Sequence, residues 1–211
     1  MTSIQNRNWS EVTKGLSNSR CVVLDDFLSN DMCKQLNRRM IECENFDDRY
    51  PNGYYANDYD LSDNLTTTIV EDLKNSCAEL LNNFVRAWSF IYDNQANGVG
   101  IHSDPSNFNV NIWVTPDECV KDPHSNGLNI YQVPIPSDAK RDQYNNRDNP
   151  YLKDLIYSKP HSIYRIPYKC NRAIIFDASL PHETDKVSMI DGLKNRRVSY
   201  TMLYGDGPFT E

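Results

Sequence analysis

Two hydrophobic periods divide the chain. Up to about residue 85 the apolar positions recur every three or four residues, and beyond it they mostly alternate. "SNDMCKQLNRRMIECENF" (29–46) predicts a helix with Met32, Cys33, Leu36 and Met40 on one face. Ser29 or Asn30 can cap it, and Asp31 suits the positive end of its dipole. Leu65, Ile69, Leu73, Cys77, Leu80, Leu81 and Phe84 predict a second helix. Before them, "CVVLDDFL" (21–28) reads as a strand, being apolar and β-branched. Residues 1–19 are polar and predict an irregular or weakly helical lead-in. "DDRYPNGYYANDYD" (47–60), rich in Tyr and Asn around a Pro-Asn-Gly turn, predicts a loop.

From residue 86 on, six segments read as strands: "RAWSFIYD", "FNVNIWVT", "LNIYQVPI", "HSIYRIPY", "RAIIFDAS" and "RRVSYTMLYG". Pro, Gly, Asn and Asp separate them. Helices followed by a run of short strands predict a mainly β fold, a sandwich or barrel with helices packed on one side. Between the strands lies a polar insertion, 137–159, with a short helix expected near its end. It reads either as a lid or binding loop or as decoration. The domain reading is a lead-in at 1–19 and a single domain over 20–211.

Composition narrows the partners. A chain of 211 residues suits one domain with a sizeable core. Its net charge is −7 and its basic residues are scattered, so nucleic acid is not expected as a partner. No apolar run approaches the roughly 20 residues of a membrane span, and the opening residues lack the apolar core of a signal peptide. Cysteines 21, 33, 43, 77, 119 and 170 form no C-x-x-C pair and read as reduced thiols, so a cytoplasmic location is expected. Oligomeric state is not legible.

The chemistry lies in "GIHSDPSNFNVNIWVTP" (100–116). In an extended segment residues i and i+2 point the same way, so His102 and Asp104 project together with a bite suited to one metal ion. A non-haem Fe(II) site of the facial-triad type needs two imidazoles and one carboxylate, with open positions left over. Alone, His-x-Asp reads equally as a surface histidine and a turn-capping aspartate. Three other histidines exist. His124 sits in a turn-rich loop, and His161 opens a strand with no partner chemistry nearby. His182 follows an apolar strand and Pro181, a rigid place from which to project a ligand. Arg197 opens the last strand. It offers a planar fork for a carboxylate, such as the far C5 carboxylate of an iron-chelating 2-oxoglutarate. Its bland alternative is an edge arginine in solvent.

The set His102-x-Asp104, His182 and Arg197 resembles the Fe(II)/2-oxoglutarate-dependent dioxygenases, within them the prolyl-hydroxylase-like group. The likeness covers roughly residues 20–206. "CVVLDDFLSNDMCKQL" is similar to that group's opening strand and helix, and "IYDNQANGVGIHSD" to its Tyr, Gly-containing turn and His-x-Asp. "NGLNIYQV", "RAIIFDASLPHETDKV" and "RRVSYTMLYGD" resemble the strands that follow. The resemblance implies a double-stranded β-helix (jelly roll, cupin-like) with the site inside one mouth. It implies His102, Asp104 and His182 as Fe(II) ligands and Arg197 on the C5 carboxylate. Tyr92, Asn111, Tyr131 and Ser199 are candidate cosubstrate contacts, and Asn109, Asn111 and Trp113 candidates to line the pocket. The implied activity is hydroxylation of a small-molecule or peptide substrate, consuming 2-oxoglutarate and O2 and releasing succinate and CO2, with ascorbate a candidate accessory. Asp104 disfavours halogenation, because the related halogenases leave that position vacant. Two features depart from the group: the insertion at 137–159 and the loop 189–195, which lengthens the gap between His182 and Arg197. The alternatives are a jelly-roll binding or structural protein whose metal site is vestigial or closed, and a cupin-like metal enzyme without 2-oxoglutarate.

Overall fold

The structure is a computed structural model and describes residues 2–158 and 162–207. In chain order its elements are α1 (Trp9–Ser19), β1 (Cys21–Leu24), α2 (Asn30–Ile41), β2 (Asp48–Tyr50), β3 (Tyr54–Tyr59), α3 (Asn64–Ser76), β4 (Phe84–Tyr92), β5 (Gln95–Ala96) and β6 (Phe108–Trp113). Then come β7 (Leu128–Tyr131), α4 (Arg141–Tyr144), α5 (Pro150–Tyr157), β8 (Ile163–Ile166), β9 (Arg172–Asp177), β10 (His182–Thr184), β11 (Val187–Ser188) and β12 (Val198–Tyr204).

A seven-stranded sheet runs in the order β1-β9-β6-β12-β4-β3-β2. A second sheet runs β10-β7-β8, and β11 pairs with β5. Alternation divides the large sheet into two faces. On β12, Val198, Tyr200, Met202 and Tyr204 pack in one core with Val12, Leu36, Ile69 and Leu73 of the helices. Ser199 and Thr201 therefore point the other way, into the space between the sheets. Trp113, Ile174 and Phe176 fill that space from the large sheet and Leu128, Ile130 and Ile166 from the small one. Helices, large sheet and small sheet thus form a double-stranded β-helix with helices on one side, as the sequence predicts.

All six strands expected after residue 86 form, as β4, β6, β7, β8, β9 and β12. Four local expectations need correction. Residues 9–19 form a helix, α1, whose Val12 and Leu16 are buried in the helix-side core; two apolar positions sufficed, because tertiary burial outweighs a polar average. The stretch 47–60 is a hairpin, β2–β3, with Tyr50 opposite Tyr54 and Gly53 at φ 82 in its turn. Its Asn and Asp hid a period-2 pattern that buries Tyr54 and Ala56. The third helix stops at Ser76, where Cys77 leaves helical geometry at φ −147. Phe84 belongs instead to β4, packed edge-on against Tyr204. The first strand ends at Leu24, before Asp26 at φ 50.

The helix expected over 29–46 forms as α2 but ends at Ile41, and Ser29 is its cap, accepting a hydrogen bond from the Met32 amide. The polar insertion carries its helix near the end, α5, whose Leu152 and Ile156 pack with Ile101, Tyr131, Ile135 and Tyr144. It is stitched to the segment that bears the first histidine. The Ser103 amide donates to the Tyr144 carbonyl (2.8 Å), the Asp148 amide to the Ile101 carbonyl (2.8 Å), and Asn145 Nδ2 to the Ser103 carbonyl (2.8 Å). The insertion is therefore an ordered wall of the β-helix mouth. Among the described residues, no helix is long and apolar enough to cross a membrane, and the six cysteines are free thiols.

Candidate metal centre

His102 lies on the segment before β6 and His182 opens β10. The His102 amide donates to the His182 carbonyl (3.0 Å), and the His182 amide to the His102 carbonyl (2.8 Å). This two-way bridge brings the imidazoles side by side, tilted by 51° with ring centroids 4.4 Å apart. Two residues on, the Asp104 amide is held by the Ala178 carbonyl (3.0 Å), which turns its carboxylate to the same point. Asp104 Oδ1 lies 4.0 Å from His102 Nε2, and Oδ2 lies 3.5 Å from His182 Nε2. The three ligand atoms fall within 4.8 Å of one another, and both carboxylate–imidazole distances lie inside the roughly 4.2 Å that two metal bonds of about 2.1 Å can span.

The surroundings prepare these groups as ligands. His102 Nδ1 lies 2.8 Å from the Gly100 carbonyl and His182 Nδ1 3.0 Å from the Leu180 carbonyl. A carbonyl only accepts, so each Nδ1 carries the proton and each Nε2 offers its lone pair to the centre. Asn109 Nδ2 donates to Asp104 Oδ2 (2.6 Å) and fixes the carboxylate. Burial, followed by the facing His182 and a smaller effect of Arg147, holds the His102 pKa well below the ordinary histidine value, with Asp104 opposing. A neutral imidazole is the form a metal needs.

His124 is exposed in the turn made by Asp122 and takes no part. His161 lies outside the described residues. The only three-residue group among the described residues that could hold a metal ion is His102, Asp104 and His182.

Deeper between the sheets lies Arg197, 1% exposed. Its Nε donates to the Asn126 carbonyl (2.9 Å), and its guanidinium lies over the rings of Tyr92 (4.8 Å), Trp113 (5.4 Å) and Tyr168 (5.6 Å). Trp113 and Tyr168 are themselves stacked at 5.2 Å. Arg197 Nη1 is buried with no hydrogen-bond partner, as are Trp113 Nε1 and Asn111 Oδ1. Unpartnered buried donors are costly, and here a cation and an indole N–H stand unmet in one aromatic enclosure. That donor set fits a carboxylate. It excludes the solvent-edge alternative for Arg197.

The structure thus brings Arg197, Tyr92, Asn111 and Ser199 to this interior. Asn111 Nδ2 donates to Thr201 Oγ1 (2.9 Å), and Ser199 is buried on the same face of β12. Tyr131 is the correction. It packs with the insertion and its hydroxyl donates to Glu183 Oε1 (2.5 Å), while its neighbours Leu128 and Ile130 face the interior. Alternation on β7 places Tyr131 on the outer face, one residue out of phase with a cosubstrate contact. Sequence reasoning missed Tyr168 and Asn126 beside Arg197, because Tyr168 lies past the end of β8 and Asn126 before the start of β7, where strand alternation no longer says which way a residue faces.

No family model and no curated protein matches the sequence. Solved structures do. The 2-oxoglutarate-dependent epimerase SnoN of nogalamycin biosynthesis superposes with TM-score 0.67 at 10% identity, covering 93% of this chain and 82% of its own. HygX from Streptomyces hygroscopicus, with nickel and 2-oxoglutarate bound, gives 0.63 at 8%, covering 98% and 90%. This chain has the fold of the Fe(II)/2-oxoglutarate oxygenases. A Pseudomonas putida prolyl-4-hydroxylase gives 0.53 at 12%, covering 96% and 97%.

Proposed function

We propose that the chain is an Fe(II)- and 2-oxoglutarate-dependent oxygenase that hydroxylates a C–H bond of an organic substrate. The observation that carries this is the pairing of two centres in one interior. Three ligand atoms converge at the mouth, and a buried guanidinium with its Nη1 unpartnered stands in the same interior.

In this reading His102, Asp104 and His182 hold Fe(II) through Nε2, a carboxylate oxygen and Nε2. Arg197 and Trp113 hold the C5 carboxylate, the first as a cation and the second through its indole N–H. When bound, the iron and its cosubstrate supply the oxidising chemistry: 2-oxoglutarate and O2 become succinate and CO2 as one oxygen atom is inserted into the substrate. The chain itself orients and excludes water. Asn109 keeps the Asp104 carboxylate turned inward, and the Gly100 and Leu180 carbonyls fix the imidazole tautomers. Tyr92, Trp113 and Tyr168 keep the guanidinium dry, which strengthens its hold on an anion. The substrate would enter the cavity of about 530 Å³ that His102 and Asp104 help to line.

The test is succinate formation from 2-oxoglutarate by Fe(II)-loaded protein under air. Slow substrate-free turnover that His182→Ala abolishes, with the fold intact by circular dichroism, supports the reading. Wild-type protein that forms no succinate and binds no 2-oxoglutarate refutes it.

A further inference from the structure

The cavity beside His102 and Asp104 carries an unspent charge. One wall is aromatic, built from Tyr50, Trp88 and Phe90. The insertion supplies the opposite rim, including Tyr144, Asn145, Arg141 and Arg147. Most of the other charged groups lining it are engaged within the protein. Asp58 pairs with Arg86 (2.6 Å), Asp206 accepts from Asn83 (2.9 Å), and Asp48 lies 3.4 Å from the Tyr50 hydroxyl. Arg147 has no carboxylate partner among the described residues. It donates to the Tyr54 hydroxyl and lies over the rings of Tyr50 (4.5 Å) and Tyr54 (5.3 Å). The two rings and the Tyr54 hydroxyl hold the guanidinium in place, and only its Nη1 is engaged there, which leaves its other N–H groups for an oxyanion. Arg141 adds a second cation without a carboxylate partner among the described residues.

We propose that this cavity takes a small organic anion, a carboxylate or phosphate ester, with its charged end on Arg147 and its unsaturated or apolar body against Trp88 and Phe90. This rests on the oxygenase reading above and names its substrate class. Two arguments favour it over a peptide side chain. The cavity volume is that of a metabolite pocket. The insertion also closes one side through its three backbone-directed bonds to Ile101 and Ser103. An anion anchored at Arg147 sits in the same cavity as His102 and Asp104, so its body can present a C–H bond to the metal.

The experiment uses full-length protein loaded with Mn(II), so that nothing turns over, and saturated with 2-oxoglutarate, so that Arg197 is occupied. Calorimetry then compares 3-phenylpropionate with 3-phenylpropanamide, and phenyl phosphate with phenol. At least one anion should bind about tenfold or more tightly than its neutral partner, the scale of one charge-assisted hydrogen bond. Arg147→Gln should erase that preference, Arg147→Lys should restore part of it, and neither should change 2-oxoglutarate affinity. Equal binding of anion and neutral partner, undiminished anion binding by Arg147→Gln, or no binding of either anion would overturn the proposal. A wild-type protein that binds no 2-oxoglutarate would instead overturn the oxygenase reading, so the two failures are distinguishable.

Discussion

The main chains of His102 and His182 hydrogen-bond each other in both directions, at 3.0 and 2.8 Å. Two residues 80 positions apart are thereby locked in register, and a slip of one residue would turn one imidazole out of the site. Both rings are also tied at Nδ1, so each can offer only Nε2. The geometry of the candidate metal centre is thus set by the backbone. His182→Ala removes a ligand and leaves the backbone bridge intact. Tight divalent-metal binding should disappear, read by Mn(II) electron paramagnetic resonance, while the far-ultraviolet circular dichroism stays that of the wild type.

Asn109 touches Asp104 and no ligand atom of either histidine is needed to keep it there. Asn109→Ala should therefore weaken metal affinity by about 10- to 100-fold without abolishing it. Calorimetric titration with Mn(II) checks this. A variant as tight as wild type would show that Asp104 needs no orienting partner.

Arg197 makes a thermal prediction. If 2-oxoglutarate binds the folded, metal-loaded protein through Arg197, it should stabilise it by about 2.7 kcal/mol at a hundred times its Kd. Arg197→Met, binding about tenfold or more weakly, should keep no more than about half of that ligand-dependent stabilisation at the same concentration and retain metal binding. A full shift in the variant would place the C5 carboxylate elsewhere.

Gly98 stands where two chain segments nearly touch. A Cβ there would overlap the Thr184 carbonyl oxygen and lie 2.5 Å from the Asp185 carbonyl oxygen, both of which are backbone and neither of which can swing aside. Gly98→Ala should cost about 1–3 kcal/mol in urea unfolding. Because Thr184 ends β10, two residues after His182, metal affinity should fall with it.

Asp25 gives an acid limb. Hydrogen bonds from Arg172, opposed by partial burial and helped by Lys169, lower its pKa to about 2. The folded value lies below the unfolded one, so the stabilisation is present above about pH 4 and is lost as pH falls towards 2. Asp25→Asn should flatten stability over that window in denaturation curves taken at stepped pH. An unchanged pH profile would show that the pair contributes nothing.

The sequence carried the site better than it carried the surroundings. His102, Asp104 and His182 were legible because a metal demands particular atoms, and only four histidines compete. Arg197 could be singled out as a cation, but its burial needed the alternation of β12 and the rings of Tyr92, Trp113 and Tyr168. Tyr131 was misassigned because period-2 reasoning gives two faces and does not say which one looks inward. The β2–β3 hairpin was hidden because its polar Asp48, Asn57 and Asp58 mask the buried Tyr54 and Ala56, and α1 because two buried residues barely register against a polar average. The insertion's role was illegible: its attachment to Ile101 and Ser103 runs mostly through backbone groups, which every residue possesses.

The most direct measurement is an anaerobic calorimetric titration of the Fe(II)-loaded protein with 2-oxoglutarate. The account predicts one saturable site that requires the metal, is lost in His182→Ala and is weakened about tenfold or more in Arg197→Met. No binding to the Fe(II)-loaded wild type, or binding equal with and without metal, would contradict it.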